Sequence, residues 1–148
     1  IGHIEGHGCP KCAFNTSNSI SQKETSWLDS LGIATLVRTA TLHLSNGRRV
    51  VVDGYDPQTN TVYEFLGDYW HGNPKLFQSE QINKSTKCTF GELYNKTLNK
   101  RKILEDMGYK YVEVWENDWK KFIKSIIFIQ KKLVILRLIQ VQRFQLIM

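Results

Sequence analysis

The sequence predicts a mixed α/β (α+β) fold in which a central sheet is flanked by helices. The chain has 148 residues, the length of one ordinary domain. Its hydrophobic periodicity gives the order helix, three-strand meander, long loop, helix, strand, helix. It has no internal repeat, so residues 19–119 are predicted to form one core. This core follows a knuckle or loop at 1–18 and precedes a basic-apolar helical segment at 120–148.

The composition excludes several classes of protein. With 41% hydrophobic and 11% aromatic residues, the chain is neither a disordered tail nor a collagen-like repeat. Three cysteines are an odd count, which argues against a disulfide framework and favours a reducing, intracellular (cytoplasmic) compartment. No secretion signal is recognisable. Lysine and arginine residues break the apolar stretch after Phe122, so we expect neither a membrane span nor a membrane partner.

Positive charge is concentrated near the C-terminus. The net charge of the chain is +6, but residues 1–118 carry −1 and residues 119–148 carry +7. A basic segment of this kind could contact phosphate, or it could keep an apolar helix in solution. It could also form an oligomer contact, and a homodimer would enlarge the surface available for recognition.

The first half of the chain predicts a helix followed by a meander. Ser21 is a capping residue with Glu24 in the capping-box position, and Gly32 is a natural stop. Strand-like runs follow over 35–44, 49–52 and 61–66, joined by turns at 45–47 and 56–60. In this prediction the second strand ends at Asp53.

The second half begins with a long segment over 67–90 that has few periodic signals, and loops of this length are usually functional or disordered. A helix over 91–107 follows, ended by Gly108, and then a strand over 109–115. Asp118 is expected to cap the last helix. The predicted buried face of the helix at 91–107 consists of Leu93, Thr97, Leu98, Ile103, Leu104 and Met107.

Acidic residues stand in or beside apolar strands. Asp53 ends one predicted strand and Glu64 lies within the next, where a carboxylate is costly unless it is paired or binds a cation. Two such acids can converge on one divalent metal ion. Glu24 could add a third carboxylate, and His71 could supply a nitrogen base. A cluster of this type suits metal-assisted hydrolysis of a phosphodiester.

Each of these residues also has a purely structural interpretation. Asp53 could cap a turn, and Glu64 could pair with a basic neighbour in an ordinary sheet. Glu24 could act only in a capping box, and His71 could be a plain loop residue. The combined pattern favours a site.

An ordered series of motifs resembles the PD-(D/E)xK nuclease superfamily. It consists of Asp53-Gly54-Tyr55, the run from Glu64 to Pro74, Gly108-Tyr109 and Trp115-Glu116. The run Gly67-Asp68-Tyr69-Trp70-His71 is similar to one in the very-short-patch repair endonucleases and the related phage homing endonucleases. The resemblance covers about residues 19–119 and implies a restriction-endonuclease-like sandwich with a central mixed sheet.

The resemblance also implies roles for individual residues. Asp53 and Glu64 would bind Mg²⁺ or Mn²⁺, Glu24 would assist as a third ligand, and His71 would act near the scissile phosphate. Three features depart from the pattern, and one is that the mismatch enzymes have a Thr-His pair before the glycine where this chain has Phe65-Leu66. The superfamily lysine would fall at Leu66, so its charge must come from elsewhere, such as His71 or Lys96, Lys100 or Lys102. Thr97 and Arg101 are four residues apart, one more than in the relatives.

Further candidates concern DNA and zinc. Tyr69 and Trp70 lie where the mismatch enzymes have aromatic residues beside DNA, and basic side chains could contact phosphate. The basic candidates are Arg48, Arg49, Lys100, Arg101 and Lys102. Cys9 and Cys12 form a Cys-x-x-Cys knuckle, and a zinc site needs four ligands. The others would be His3 and His7, residues upstream, or Cys88.

The sequence therefore predicts a Mg²⁺-dependent endodeoxyribonuclease acting on double-stranded DNA, most simply a homing enzyme of a phage or mobile element. A mismatch-repair nicking endonuclease is the alternative within the same class. A non-catalytic DNA-binding module on a degenerate nuclease scaffold is the alternative from a different class.

Overall fold

A computed structural model describes residues 21–45 and 47–147, with side chains described as far as residue 139. The chain divides into two compact units, the first ending at Trp115 and the second beginning at Glu116. The elements are α1 (Gln22–Ser30), β1 (Val37–His43), β2 (Arg49–Asp56), β3 (Thr61–Leu66), α2 (Asp68–His71), α3 (Phe90–Asp106), β4 (Lys110–Trp115) and α4 (Glu116–Ile147).

The strands form a four-stranded mixed sheet in the order β1-β2-β3-β4. Strands β1, β2 and β3 are an antiparallel meander, whereas β3 and β4 run parallel, with Glu64 opposite Glu113. A parallel pair needs a long crossover, and the segment containing α2 and α3 supplies it. The predicted mixed α+β class is confirmed.

Helix α1 covers one face of the sheet. Its cap is as predicted, because the backbone N–H of Glu24 donates to the Ser21 hydroxyl at 3.1 Å. Trp27 is buried, and its ring centroid lies 6.3 Å from that of Tyr63 and 6.1 Å from that of Phe65. Residues 63 and 65 of a strand share one face, so α1 packs on that face of β3.

Helix α3 packs on the opposite face. Leu104 and Val62 have no exposed surface and belong to the same core cluster. Residues 62 and 63 of a strand point to opposite faces, so α3 and α1 lie on either side of the sheet. The N-terminus of α3 has a complete capping box between Thr89 and Glu92. The other buried residues of this cluster are Ala40, Leu42 and Val52.

Two predicted element boundaries and one predicted core residue were wrong. Strand β2 continues to Asp56, because Gly54 and Tyr55 pair with both β1 and β3, so Asp53 lies inside the strand. Asp118 does not cap α4, which already begins at Glu116. Leu98 is 41% exposed, since it lies on the side of α3 away from the sheet.

The segment over 67–90, predicted as a long loop, contains the short helix α2 and is organised by two buried asparagines. The Asn73 side chain donates to the Asp68 carboxylate at 2.7 Å. The Asn83 side chain donates to the carbonyl of Tyr69 at 2.8 Å and accepts from the backbone of Ser85. The Asn83 bonds pair backbone groups of the connection, and the Asn73 bond joins two buried side chains.

Helix α4 forms the second unit. Many of its apolar side chains between Phe122 and Ile139 are exposed. Among the described helices, none is both long enough and apolar enough to cross a membrane.

We expect Leu104→Ala to lower the free energy of unfolding by about 3 kcal/mol, because it removes fully buried methyl groups from the core. Leu98→Ala on the same helix is the matched control and should cost less than about 1 kcal/mol. Denaturant unfolding followed by tryptophan fluorescence measures both. Equal losses would contradict this orientation of α3.

Candidate active site

Asp53 lies at an interruption in the sheet. In the register of β1 with β2, Arg38 pairs with Gly54 and Ala40 with Val52, but Thr39 and Asp53 are not paired with each other. Thr39 has a positive φ of 50°. The regular pairing of β2 with β3 stops at Gly54 and Tyr63. Beyond it, Asp53 Oδ2 accepts a hydrogen bond from the Phe65 backbone N–H at 2.7 Å. The carboxylate thus takes the place of a backbone acceptor, which fixes its position against β3.

Glu64 is the most deeply buried acid of the site. It is 2% exposed, and Lys100 Nζ lies 2.6 Å from its Oε1. Lys100 belongs to α3, so the cation reaches the β3 carboxylate from the helix packed on that face. Of the three helix lysines considered as substitutes for the missing strand lysine, the structure brings Lys100 to the site.

Burial is the main reason that the carboxyl groups of the site have raised pKa values. Burial raises the pKa of Glu64 to about 7; the Lys100 charge opposes this shift, while Asp53 and Glu24 add to it. Burial also raises the pKa of Asp53, against the opposing effects of the Phe65 hydrogen bond and Lys100. These couplings place the three acids and one lysine in a single electrostatic cluster.

Glu24 joins this cluster from α1. Burial, and then the charge of Asp53, raise its pKa to about 7, although the Ser21 backbone and Arg38 act in the opposite direction. Its backbone takes part in capping α1. Glu24 therefore contributes to the helix cap through its backbone and to the acidic cluster through its carboxyl group, so the two interpretations are compatible.

His71 stands at the end of α2, next to α3. Its Nδ1 lies 2.9 Å from Thr97 Oγ1. Burial, and next the charge of Lys100, lower the pKa of His71 to about 4, so the imidazole is neutral near pH 7. Gly72 follows with a φ of +67°, and a Cβ there would lie 2.1 Å from the Phe90 carbonyl oxygen. Only glycine allows this close approach of α2 to α3.

Sequence reasoning missed a second acid–base pair beside the first. Glu113 lies opposite Glu64 in the parallel register, and Arg101 Nη1 is 3.6 Å from its Oε1. The Arg101 guanidinium also lies 5.5 Å from the ring centroid of Tyr111. Consecutive residues of α3 thus neutralise acids on neighbouring strands. The sequence signal was the pair Lys100-Arg101, but the register of β3 with β4 was needed to find the acids.

The candidate DNA-contacting residues lie in different surroundings. Tyr69 packs edge-to-face against Phe77 and Phe90, whereas Trp70 is 52% exposed. Arg48 and Arg49 are exposed at the β1–β2 turn, and Arg49 is four residues, or about 13 Å, from Asp53 along β2. Lys100 and Arg101 pair with acids as described above, and Lys102 is exposed and pairs with Asp106 at 2.8 Å.

Metal ligands can be assessed for the described residues. In residues 21–45 and 47–147, no three His, Cys, Asp or Glu side chains are grouped so as to hold a metal ion. Mg²⁺, however, commonly takes one or two carboxylates and completes its shell with water and substrate phosphate. Asp53 and Glu64 match that donor set, whereas Glu24 as a third direct ligand is not supported.

Only one of the five zinc candidates lies within the described residues. His3, His7, Cys9 and Cys12 lie outside the described residues. Cys88 is 1% exposed and disulfide-bonded, so its sulfur is not available as a thiolate ligand. This disulfide departs from the expectation of a reducing compartment, which was drawn from the odd cysteine count.

Comparison with family models, with curated proteins and with solved structures found no match for this chain. The nuclease resemblance therefore rests on the sequence motifs.

We expect the ionisation of Glu64 to be visible in the pH dependence of stability. Its pKa is raised from 4.5 to about 7 by folding, so its contribution to stability is complete below pH 4.5 and is lost as the pH rises through 7. Glu64→Gln has no such ionisation. The free energy of unfolding of the variant, relative to the wild type, should rise by about 3 kcal/mol between pH 4.5 and about pH 8.

Denaturant unfolding at several pH values measures this difference. Glu80→Gln, which changes an exposed carboxyl outside the cluster, is the matched control and should alter stability little. A Glu64→Gln difference that is flat across this range would show that Glu64 ionises freely in the folded chain.

Proposed function

We propose that this chain is a metal-dependent endonuclease that hydrolyses phosphodiester bonds in double-stranded DNA, of the homing type found in phages or mobile elements. The observation that carries the proposal is the position of Lys100, 2.6 Å from Glu64 and electrostatically coupled to Asp53. The PD-(D/E)xK pattern combines two acids with a lysine, and Leu66 occupies the usual lysine position. Lys100 supplies this charge from a helix, so all three groups are present.

Asp53 and Glu64 would hold the Mg²⁺ or Mn²⁺ that the resemblance implies. When bound, such an ion supplies positive charge that activates water and neutralises charge developing on the phosphate. Asp53 is suited to this role because its Oδ2 is fixed by the Phe65 N–H. Glu64 is suited because it is a buried carboxylate with one lysine, Lys100, as its ion-pair partner.

The other residues would move or stabilise charge. The Lys100 ammonium would stabilise the negative charge that develops on the phosphate, since it is held beside the buried Glu64 and its side chain remains 31% exposed. His71 is neutral near pH 7 and can accept a proton or a hydrogen bond. Glu24, with a pKa of about 7, can take up or release a proton close to neutral pH.

DNA would be contacted next to this cluster. Trp70 is exposed directly before His71 in the chain, where its ring could stack on a base. Exposed basic residues, Arg48 and Arg49 among them, would contact phosphates without reading the sequence.

The experiment that tests the proposal is cleavage of supercoiled plasmid in Mg²⁺ or Mn²⁺. We expect nicking or linearisation by the wild-type chain and its complete loss in EDTA. Asp53→Asn and Glu64→Gln should each lower the rate at least about a hundredfold, because each removes a carboxylate that would hold the metal ion. Asp106→Asn, at the exposed end of α3, is the matched control and should leave the rate unchanged.

Two results would contradict the proposal. Cleavage that persists in EDTA or in both site variants would place the chemistry elsewhere. DNA binding without cleavage in either metal would favour the non-catalytic DNA-binding module.

A further inference from the structure

Thr97 makes two contacts that bear on which nitrogen of His71 carries the proton. Thr97 Oγ1 lies 2.9 Å from His71 Nδ1 and 3.2 Å from the backbone carbonyl oxygen of Leu93, one turn earlier in α3. A carbonyl oxygen can only accept a hydrogen bond, and a threonine hydroxyl has a single proton to donate. If that proton goes to Leu93, the hydroxyl can bond His71 only as an acceptor. Both contacts are then hydrogen bonds only when Nδ1 bears the ring proton.

We propose that Thr97 is a positioning residue that holds His71 as its neutral Nδ1–H tautomer and leaves the lone pair on Nε2 for the cleavage reaction. This inference rests on the proposed nuclease function, and it adds to that function a residue without direct contact to the phosphate. The nitrogen opposite a fixed hydrogen bond is the one that accepts a proton or a hydrogen bond.

The surroundings of Thr97 make the contact well defined. Thr97 is 7% exposed, so no bulk water competes for its hydroxyl. It belongs to α3, where Lys100 follows three residues later on the same face of the helix. One rigid helix therefore orients both the histidine and the lysine of the cluster, and the Gly72 approach to Phe90 fixes α2 against it.

The Thr97 hydroxyl also has a purely structural interpretation. Buried threonines in helices often bond the carbonyl four residues earlier, with no further role. That structural role explains only the Leu93 contact and does not specify the tautomer of His71. The two roles therefore differ in a property that can be measured directly.

The test is ¹⁵N NMR of the imidazole of His71 in the full-length chain near pH 7.5, where the ring is neutral. Protonated and unprotonated ring nitrogens give well-separated shifts, and His71→Gln assigns the signals. We expect a protonated Nδ1 in the wild type. In Thr97→Val, Nδ1–H would lose its acceptor, so the proton should move to Nε2. Thr97→Ser keeps the hydroxyl and should keep the wild-type tautomer.

Single-turnover cleavage of plasmid gives the second readout. Thr97→Val should lower the cleavage rate at saturating DNA at least about tenfold while changing apparent affinity for DNA little, and Thr97→Ser should restore most of the rate. Thr41→Val, which removes an exposed strand hydroxyl, is the matched control for both measurements.

The outcomes are separable. A protonated Nε2 in the wild-type chain would overturn the inference, and so would one tautomer shared by the wild type and Thr97→Val. The expected tautomers together with no cleavage by the wild type would support the Thr97 assignment and overturn the nuclease function. Because the wild-type spectrum, once the His71 signals are assigned, can refute the inference, the test does not depend on the folding of the Thr97 variants.

Discussion

The ion pair between Lys100 and Glu64 is the interaction on which the rest of the site depends. A carboxylate that is 2% exposed would be strongly destabilising without a partner, and Leu66 offers none on its own strand. Lys100 can reach Glu64 only if α3 lies against that face of the sheet. The hydrophobic contacts of Leu104 with this face provide that docking. Core packing and site chemistry are therefore two consequences of one helix position.

Helix α3 also organises the groups around the ion pair. Arg101, the next residue, pairs with Glu105 of its own helix at 2.9 Å and lies 3.6 Å from Glu113, so each acid on the adjacent parallel strands has a cation from α3 beside it. Thr97, one turn earlier, contacts His71. The helix is in turn anchored by its capping box and by the ordered segment that precedes it. Burial raises the pKa of both Asp53 and Glu24, and the nearby cations, Lys100 for Asp53 and Arg38 for Glu24, oppose these shifts.

Local signals predicted much of the fold. The cap at Ser21 and the strand over 61–66 were found from residue type and periodicity alone. The extent of β2 was missed because Asp53-Gly54 resembles a turn, whereas strand pairing on both sides keeps it extended. Leu98 was assigned to the core because helical spacing does not fix which of two adjacent stripes faces the sheet. For the same reason, the sequence did not show which of Lys96, Lys100 and Lys102 faces the site.

The central claim is that Lys100 provides the positive charge that the strand of this chain lacks. The most direct test is the single-turnover rate of plasmid cleavage by Lys100→Met, with folding checked by circular dichroism and Lys110→Met as the matched control on an exposed lysine. We expect Lys100→Met to remain folded and to cleave at least about a hundredfold more slowly than the wild type. We expect the control to cleave at the wild-type rate. A folded Lys100→Met variant that cleaves as fast as the wild type would contradict the account.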